Sequence, residues 1–311
     1  MLAIDVKNIS KTYKVGFWGK KVKVLNDLSF QVKEGEVFAY LGPNGAGKTT
    51  TLKIILGLIS ADSGTTSILG RSMNDVAIKN QIGYLPENPY FYDYLTGEEL
   101  LNFFAQFFNL DKTERKQRID MLFDMVYLEN ARKLALHKYS KGMLQRIGIA
   151  QALINNPKIV FLDEPLSGLD PIGRRHIRDI IFRLKDEGKT ILFSSHILSD
   201  AEMICDHVTI INKGKVITTG KLEDILKSST KGLEVTFTNV PENDLTNIKN
   251  NSINYIKQNK NILITLPYDD KINQSLLELT QLIEKNNGQL VNITPCRESL
   301  ENIFMQKVQA A

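Results

Sequence analysis

The sequence contains few cysteines and no long apolar segment. Only two of its 311 residues are cysteines, Cys205 and Cys296, and their spacing matches neither a metal site nor a disulfide framework. We interpret both as small buried side chains in a reducing compartment. No run approaches the 18 apolar residues of a membrane-spanning helix, and Asp5 lies where a signal peptide would have its apolar core. These absences predict a cytoplasmic chain, unless another protein carries it to a membrane.

A strong net charge is absent as well. The formal charge is +4, with 42% hydrophobic and 24% charged residues, a composition typical of a water-soluble protein with enough material for two domains. A dedicated nucleic-acid binder usually carries a strongly basic stripe, so we expect no nucleic-acid partner. A local contact with an acidic lipid or protein is compatible with this composition.

A glycine-rich segment, LGPNGAGKTT at residues 41–50, lies between a strand-like run at 37–41 and a stretch with helical spacing. It matches Gly-x-x-x-x-Gly-Lys-Thr, in which backbone N–H groups surround phosphate oxygens at a helix N-terminus. We expect Lys48 to reach the β- and γ-phosphates and the Thr49 hydroxyl to bind Mg²⁺. The residues predicted to bind the nucleotide are Gly42, Pro43, Asn44, Gly45, Ala46, Gly47, Lys48, Thr49 and Thr50. A glycine-rich turn without a ligand is the structural alternative.

Two carboxylates follow a second strand-like run, residues 159–162 of KIVFLDEP. Asp163 and Glu164 are adjacent, and such a pair is costly to hold together without a cation or a proton nearby. Asp163 is suited to Mg²⁺, and Glu164 is suited to polarising an attacking water as a general base. A surface acidic turn is the alternative. Beside a phosphate loop, the pair predicts hydrolysis of ATP or GTP.

Three further segments complete a recognisable order: YSKGMLQR at 139–146, SGLDP at 167–171 and FSSH at 193–196. Together with the phosphate loop and the Asp-Glu pair, they resemble the ATP-binding cassette, or ABC, ATPases over roughly residues 3–222. The resemblance implies an α/β P-loop NTPase fold with a RecA-like core, a β subdomain and an inserted helical subdomain. It also implies an ATPase that uses ATP and Mg²⁺.

In this family two cassettes pair head to tail, and ATP lies between the phosphate loop of one and the signature loop of the other. The resemblance therefore implies a homodimer in which Ser140 and the N–H of Gly142 touch the γ-phosphate of ATP held by the partner. These residues would lie at the N-terminus of a helix that begins near Met143.

The resemblance also implies roles for three isolated residues. Tyr13 would stack on adenine, His196 would hold the γ-phosphate and orient the water, and Asp170 would signal between the two sites. Each has a structural alternative: a packing tyrosine, a satisfied polar histidine, and an N-cap for a helix that starts at Pro171.

The sequence departs from the family pattern at three positions. Glu87 replaces the usual glutamine after GYLP; it can still bind Mg²⁺, but it changes the charge of the site and cannot donate a hydrogen bond. In the signature, Lys141 replaces glycine and Met143 replaces glutamine. We expect these departures to alter turnover without abolishing it.

The motif positions predict a cassette over residues 1–222, with its helical subdomain at about 87–155, followed by a linker helix at 223–230. Residues 231–311 read as a small α+β accessory domain with a β, β, α, β pattern and a final helix. Its predicted strands are at 233–240 and 261–267, and its predicted helices at 275–285 and 298–308. We interpret this domain as a dimer-stabilising or regulatory module.

Similar C-terminal tails occur in ATPases of the ABC-2 exporter type, whose membrane domains are separate polypeptides. The resemblance thus implies an ATPase subunit at the cytoplasmic face of a membrane that powers export through permease subunits on other chains. The alternative is a soluble ABC-type ATPase that acts on ribosomes, DNA or protein complexes. Those classes carry paired cassettes, long coiled coils or zinc modules, which do not appear in this sequence.

Aromatic residues are concentrated after Glu87, in the region that resembles the family's groove for a permease helix. Aromatic side chains are favoured at partner contacts because they bury much area at low entropy cost. Packing inside the helical subdomain is an equally open interpretation for any one of them. The five residues are Tyr90, Phe91, Tyr92, Tyr94 and Phe103.

Overall fold

A computed structural model describes residues 1–16, 19–72, 75–227, 230–258, 260–297 and 299–309. The chain divides into two compact units, Met1–Leu222 and Glu223–Ala311. Among the described residues, every helix is too short or too polar to span a bilayer.

The first unit contains most of the regular structure. Its strands are β1 (Leu2–Val15), β2 (Lys20–Lys33), β3 (Val37–Leu41), β4 (Ser63–Ile68), β5 (Ile82–Leu85), β6 (Ile159–Leu162), β7 (Thr190–Ser195), β8 (His207–Asn212) and β9 (Lys215–Lys221). Its helices are α1 (Lys48–Ile55), α2 (Val76–Lys79), α3 (Gly97–Ala105), α4 (Lys112–Met125), α5 (Lys141–Ala152), α6 (Pro171–Asp186) and α7 (Leu198–Glu202).

A mostly parallel sheet forms the centre of this unit, with the strand order β5-β6-β7-β3-β8-β9 over the described residues. Strands β3, β6 and β7 are buried along their whole length, as expected for continuous apolar runs covered on both faces. Their carboxyl ends meet at one edge of the sheet. The phosphate loop, the Asp-Glu pair and His196 follow these three strands, so the topology brings them together.

A second sheet, β2-β1-β4, is antiparallel. Strand β4 pairs with β1 only as far as Ser10. Beyond that point residues 11–15 pair with β2 alone and form a two-stranded ribbon. This sheet corresponds to the β subdomain that the resemblance implied.

Helices α3, α4 and α5 pack together as the inserted helical part. Capping boxes begin α3 at Thr96 and α4 at Asp111, which satisfy backbone N–H groups of the first turn. Apolar side chains such as Leu100, Leu122 and Phe123 are fully buried between these helices. The predicted fold class is confirmed at the level of these three parts.

The second unit holds a four-stranded antiparallel sheet in the order β11-β12-β10-β13. Side chains of the sheet, such as Val235 and Ile264, share a core with Leu279 and Ile283. Its strands are β10 (Thr230–Thr238), β11 (Asn254–Gln258), β12 (Asn261–Pro267) and β13 (Leu290–Arg297), and its helices are α8 (Leu222–Lys227), which starts at the boundary, α9 (Thr246–Asn250), α10 (Ile272–Lys285) and α11 (Leu300–Gln309).

Several sequence-based boundaries differ from those observed. The linker helix predicted at 223–230 is α8, which ends at Lys227; Thr230 already belongs to a strand, and residues 228 and 229 lie outside the described residues. Strand β11 was not predicted, because this edge strand is polar and largely exposed. Of the cysteines, Cys205 is buried, as predicted, whereas Cys296 is only half-buried.

Candidate functional site

The predicted phosphate loop connects β3 to α1, as the sequence pattern requires. Gly47 caps α1 with φ 107°, a backbone conformation that side chains disfavour. A Cβ atom at Gly47 would lie 2.6 Å from Leu25 Cδ2, and one at Gly42 would lie 2.5 Å from the carbonyl oxygen of Ile211. Glycine is therefore needed at both positions for steric reasons.

Lys48, the first residue of α1, is buried and points back over its own loop. Its ammonium group donates to the carbonyl oxygen of Gly42 at 2.8 Å and to that of Pro43 at 3.3 Å. It also lies 3.1 Å from Glu164 Oε1, and both side chains are 6% exposed. A buried cation with a carboxylate and two carbonyl groups as partners is suited to binding phosphate oxygens.

Asp163 and Glu164, which follow β6, bond the same hydroxyl group, Asp163 through its carboxylate and Glu164 through its backbone N–H. Ser194 Oγ donates to Asp163 Oδ1 at 2.6 Å and accepts the N–H of Glu164 at 2.9 Å. Ser194 lies on the neighbouring strand β7 and is fully buried. The sequence interpretation missed this residue; its signal was a serine near the end of a buried strand beside the Asp-Glu pair.

Asp163 is fully buried, and its second carboxylate oxygen, Oδ2, has no hydrogen-bond partner among the described residues. Burial raises the pKa of the Asp163 carboxyl; the charge of Glu164 acts in the same direction, and the Ser194 and Thr49 hydroxyls and the Lys48 charge oppose it. An unpaired buried carboxylate oxygen near a threonine hydroxyl matches the ligands that Mg²⁺ prefers. The residues present therefore fit this ion.

Glu164 links the phosphate loop to His196. Its Oε2 lies 2.8 Å from His196 Nδ1, while its Oε1 faces Lys48. The backbone of Glu164 has φ 51°, in a region that is uncommon for residues other than glycine and is often found at active sites. His196 itself lies just after β7 and is about one-third exposed.

Glu87 follows β5 and is exposed on the rim of the same site. It lines a cavity of about 360 Å³ with Lys48, Thr49, Glu164 and other residues of the phosphate loop, a volume in the range of small-molecule pockets. Burial raises the pKa of the nearby Tyr84 to about 12, and the charges of Asp163 and Glu87 add to this shift. The cavity is lined by two carboxylate residues, Glu87 and Glu164, and by residues of the phosphate loop.

The signature residues lie at a different cavity. Ser140 is the N-cap of α5 and accepts the N–H of Met143 at 3.3 Å. The helix therefore begins at Lys141, two residues before the predicted start. Ser140, Gly142 and Asp170 line a cavity of about 290 Å³. Within the described part of the chain, this cavity shares no lining residue with the cavity at the phosphate loop.

Asp170 has a structural role at the start of a helix. Asp170 is the N-cap of α6, where its Oδ1 accepts the N–H of Gly173 at 2.7 Å and Pro171 occupies the first helical position. Asp170 therefore caps the helix, and its role in signalling between the two ATP sites stays a prediction.

Tyr13 lies on the ribbon of β1 and β2, is 36% exposed, and has the Lys11 ammonium 5.6 Å from its ring centroid. Its predicted stacking on adenine is untested by these contacts.

The aromatic residues after Glu87 divide into two groups. Phe91 is half-buried and faces Gly148 of α5, as a packing residue does. Tyr90, Tyr92 and Tyr94 are 96%, 52% and 70% exposed, and Phe103 is 39% exposed. Five rings, four of them exposed and that of Phe104 half-buried, form what we call the exposed aromatic cluster, with neighbouring centroids 5.4–6.2 Å apart: Tyr92, Tyr94, Phe103, Phe104 and Phe107.

Comparisons with known proteins agree with this geometry. A sequence profile of the family described as ABC transporter matches residues 25–167. An ABC transporter ATP-binding protein of Synechocystis sp., sll0415, is 43% identical over 309 residues, which covers 98% of this chain and 84% of that protein. The bacitracin transport ATP-binding protein BcrA of Bacillus licheniformis is 35% identical over 92% of each chain.

A solved structure is similar to a large part of this chain. It is the dimeric post-hydrolysis state of the ATP-binding cassette MJ0796 bound to ADP and Pi. The TM-score is 0.64 at 28% identity, and the match covers 70% of this chain and 98% of that chain. These matches confirm the predicted fold class.

Proposed function

The chain belongs to the ABC transporter ATP-binding proteins, and we propose that it powers export through membrane-spanning subunits on separate chains. It binds ATP and is an ATPase. The observation that supports the assignment of its catalytic residues is the continuous contact from Lys48 through Glu164 to His196 beside the phosphate loop. The residue roles below belong to the proposal.

In hydrolysis, Lys48 would bind the β- and γ-phosphates in place of its present partner Glu164. The loss of that ion pair would leave Glu164 hydrogen-bonded to His196 and able to accept a proton from the attacking water. His196 would orient this water and hold the γ-phosphate. Residues Gly42–Thr50 would surround the phosphates, and Tyr13 would stack on adenine.

Mg²⁺ would be held by Thr49, Asp163 and Glu87. The support is the buried, unpaired Oδ2 of Asp163 near Thr49 and the position of Glu87 on the same cavity. When bound, the ion would neutralise charge that develops on the phosphate oxygens. Glu87 would bring one more negative charge to this site than the usual glutamine.

Head-to-tail pairing of two chains is the second part of the proposal. Ser140 and Gly142 line a cavity separate from that of the phosphate loop, so one chain does not bring them together. A second copy would supply them to the γ-phosphate at the N-terminus of its α5. Asp170, on the same cavity as Ser140, would then lie at the interface and link the two sites.

The permease would dock on the exposed aromatic cluster defined above. Exposed rings that already contact one another form a preordered apolar surface, and such surfaces mark partner sites. The chain would thereby be held at the cytoplasmic face of a membrane. Export as the direction of transport is supported by the resemblance of the C-terminal tail to those of ABC-2 exporter ATPases. No observation favours the alternative of a soluble ATPase acting on ribosomes, DNA or protein complexes.

Affinity isolation from detergent-solubilised membranes tests this proposal. The tagged chain is expected to copurify with an integral membrane protein, and ATP turnover of the isolated complex should depend on Glu164. Recovery of ribosomes, nucleic acid or soluble complexes without a membrane protein would contradict it.

A further inference from the structure

The ribbon formed by residues 11–15 and the start of β2 has one strongly basic face. In its register Lys14 is opposite Lys21, and Thr12 is opposite Lys23. Side chains alternate between the faces of a strand, and directly opposed residues share a face. Lys14, Lys21 and Lys23 therefore project from the same side, which we call the basic ribbon face.

The described part of the chain provides no acidic partner for this face. All three lysines are exposed, and no ion pair joins them to a carboxylate among the described residues. Nearer the sheet, by contrast, Lys11 pairs with Asp62 at 3.2 Å and Lys7 pairs with Asp5 at 2.9 Å. Lysine charge is thus paired with carboxylates near the base of the ribbon, whereas the lysines of the basic ribbon face, further out, are without such partners among the described residues.

The opposition of Lys14 and Lys21 is unfavourable for the ribbon itself, because like charges directly opposite each other destabilise a strand pair. The other face carries Tyr13 opposite Val22, so the nucleotide role proposed for Tyr13 does not require these lysines. None of the three lysines lines the cavity at the phosphate loop. An arrangement that opposes ribbon stability and does not line that cavity indicates an anionic partner.

We propose that the basic ribbon face binds the anionic surface of a membrane, through the headgroups of acidic lipids. Lysine is a compact point charge without the planar fork with which arginine recognises phosphate or bases, and the face contains lysine but no arginine. It therefore suits a diffuse negative surface. A second copy would bring the same charge and be repelled.

This inference relies on the proposed function only in placing the chain beside a membrane. Basic residues close to an acidic lipid surface each strengthen partitioning by about fivefold. Three lysines on one face would strengthen it by on the order of 100-fold. Such binding would hold the ATPase at the bilayer in addition to the permease contact.

Vesicle co-sedimentation of the purified full chain, without a permease, tests the proposal. The chain is expected to bind vesicles that contain phosphatidylglycerol and not to bind vesicles of pure phosphatidylcholine. Binding should weaken steeply as salt rises from 0.1 to 1 M, because the screening length is about 3 Å at 1 M. The variant Lys14→Gln/Lys21→Gln/Lys23→Gln should lose on the order of 100-fold in partitioning. Equal binding to both vesicle types, or no binding, would overturn the proposal.

A matched control separates the face from net charge. Lys79, Lys112 and Lys133 are exposed on separate parts of the first unit, and changing all three to glutamine removes the same charge. This variant should retain nearly all vesicle binding. An equal loss in the control would assign the effect to net charge and overturn the proposal, as would preferential binding of a generic RNA by the wild-type chain without vesicle binding.

The single change Lys21→Glu provides a second readout. It converts the opposed pair into an attractive one, so the melting temperature should be unchanged or raised while vesicle binding falls. A fall in both would indicate a folding role and contradict the proposal. Without vesicles, ATP turnover should be unchanged in all of these variants. If the wild-type chain hydrolyses ATP but does not bind acidic vesicles, this inference alone is refuted. If the wild-type chain does not hydrolyse ATP, the proposed function is refuted.

Discussion

The carboxylate of Glu164 bridges the buried ammonium of Lys48 and the imidazole of His196, with Oε2 2.8 Å from His196 Nδ1. Because one side chain contacts both, it can pass from an ion pair with Lys48 to the role of general base when a phosphate competes for the lysine. The arrangement connects nucleotide binding to activation of the catalytic base.

Replacement of Glu164 by glutamine tests the role of this base. The variant should bind Mg-ATP with near wild-type affinity, because the contacts from Lys48 and the loop remain. Its turnover should fall by about 10²–10⁴-fold, which is the usual contribution of a general base. Single-turnover hydrolysis and nucleotide binding, measured side by side, check both expectations. Wild-type turnover would refute the assignment.

Ser194→Ala should destabilise the protein and slow turnover together. The change leaves Asp163 Oδ1 and the N–H of Glu164 without their shared partner, and buried groups left unpaired cost about 1–3 kcal/mol each. Ser195→Ala is the matched control, since that hydroxyl bonds only the backbone of Ile197 among the described residues. Equal melting temperatures and turnover in the two variants would show that the Ser194 bridge has no special role.

The raised pKa of Asp163 predicts a pH dependence of stability. Since the folded protein holds this proton more tightly than the unfolded chain, stability contributed by Asp163 is present below the ordinary pKa of 3.8 and declines as pH rises through the higher folded value. Asp163→Asn should remove that decline. Chemical denaturation without Mg²⁺, across this acidic range, compares the two proteins; parallel curves would contradict the predicted contribution.

The same carboxyl must be ionised to bind Mg²⁺. Stabilisation by added Mg-ATP should therefore fade as pH is lowered through the raised pKa of Asp163, above the range of an ordinary aspartate. Thermal shifts with and without Mg-ATP at a series of pH values measure this. A shift that persists down to pH 3.8 would mean that Asp163 does not hold the ion.

Glu87→Gln should change the metal dependence of turnover more than the affinity for ATP. Glu87 lines the cavity beside the loop, whereas the Lys48 ammonium and loop N–H groups dominate phosphate binding. Metal titrations of ATPase activity with Mg²⁺ and Mn²⁺ provide the measurement, with Asn88→Ala as a neighbouring control. Identical titration curves for wild type and Glu87→Gln would leave Glu87 without a metal role.

Tyr92 and Phe91 form a matched pair for the docking surface. Tyr92→Ala should leave the melting temperature and basal turnover of the isolated subunit nearly intact, because Tyr92 is 52% exposed. It should weaken association with the membrane partner by about 1–2 kcal/mol or more. Phe91→Ala should instead lower the melting temperature, since this side chain packs on α5. A destabilised Tyr92→Ala with unaltered membrane association would reject docking at this residue.

The convergence of the catalytic residues could be predicted from the sequence because it follows from topology. Continuous apolar runs predicted the buried strands β3 and β6 at their observed bounds, and parallel neighbours place the residues that follow them at one edge. Local patterns therefore sufficed where the chain is strongly apolar and flanked by glycine or carboxylates.

Side-chain partnerships could not be predicted in this way. Nothing in the pattern distinguishes Ser194, which bridges the Asp163 carboxylate and the backbone N–H of Glu164, from Ser195, which bonds the backbone of Ile197. The exposure of Tyr92 and the packing of Phe91 likewise depend on how the segment crosses α5. Both features are set by tertiary contacts, and the identity of two adjacent, similar residues does not show which of them makes those contacts. The polar strand β11 was missed for the related reason that its pairing, and not its composition, makes it a strand.

In the proposed dimer, ATP joins two chains by lying between the phosphate loop of one and the signature loop of the other. The most direct measurement is the oligomeric state of Glu164→Gln with Mg-ATP, compared with the same variant carrying Gly142→Asp. Among the described residues, a Cβ atom at Gly142 would have only Leu169 Cδ2 within 4 Å, at 3.8 Å, so the fold should tolerate the change. We predict an ATP-dependent dimer for the first protein and an ATP-bound monomer for the second in analytical ultracentrifugation. Equal dimerisation of both proteins, or a monomeric Glu164→Gln with ATP bound, would contradict the claim.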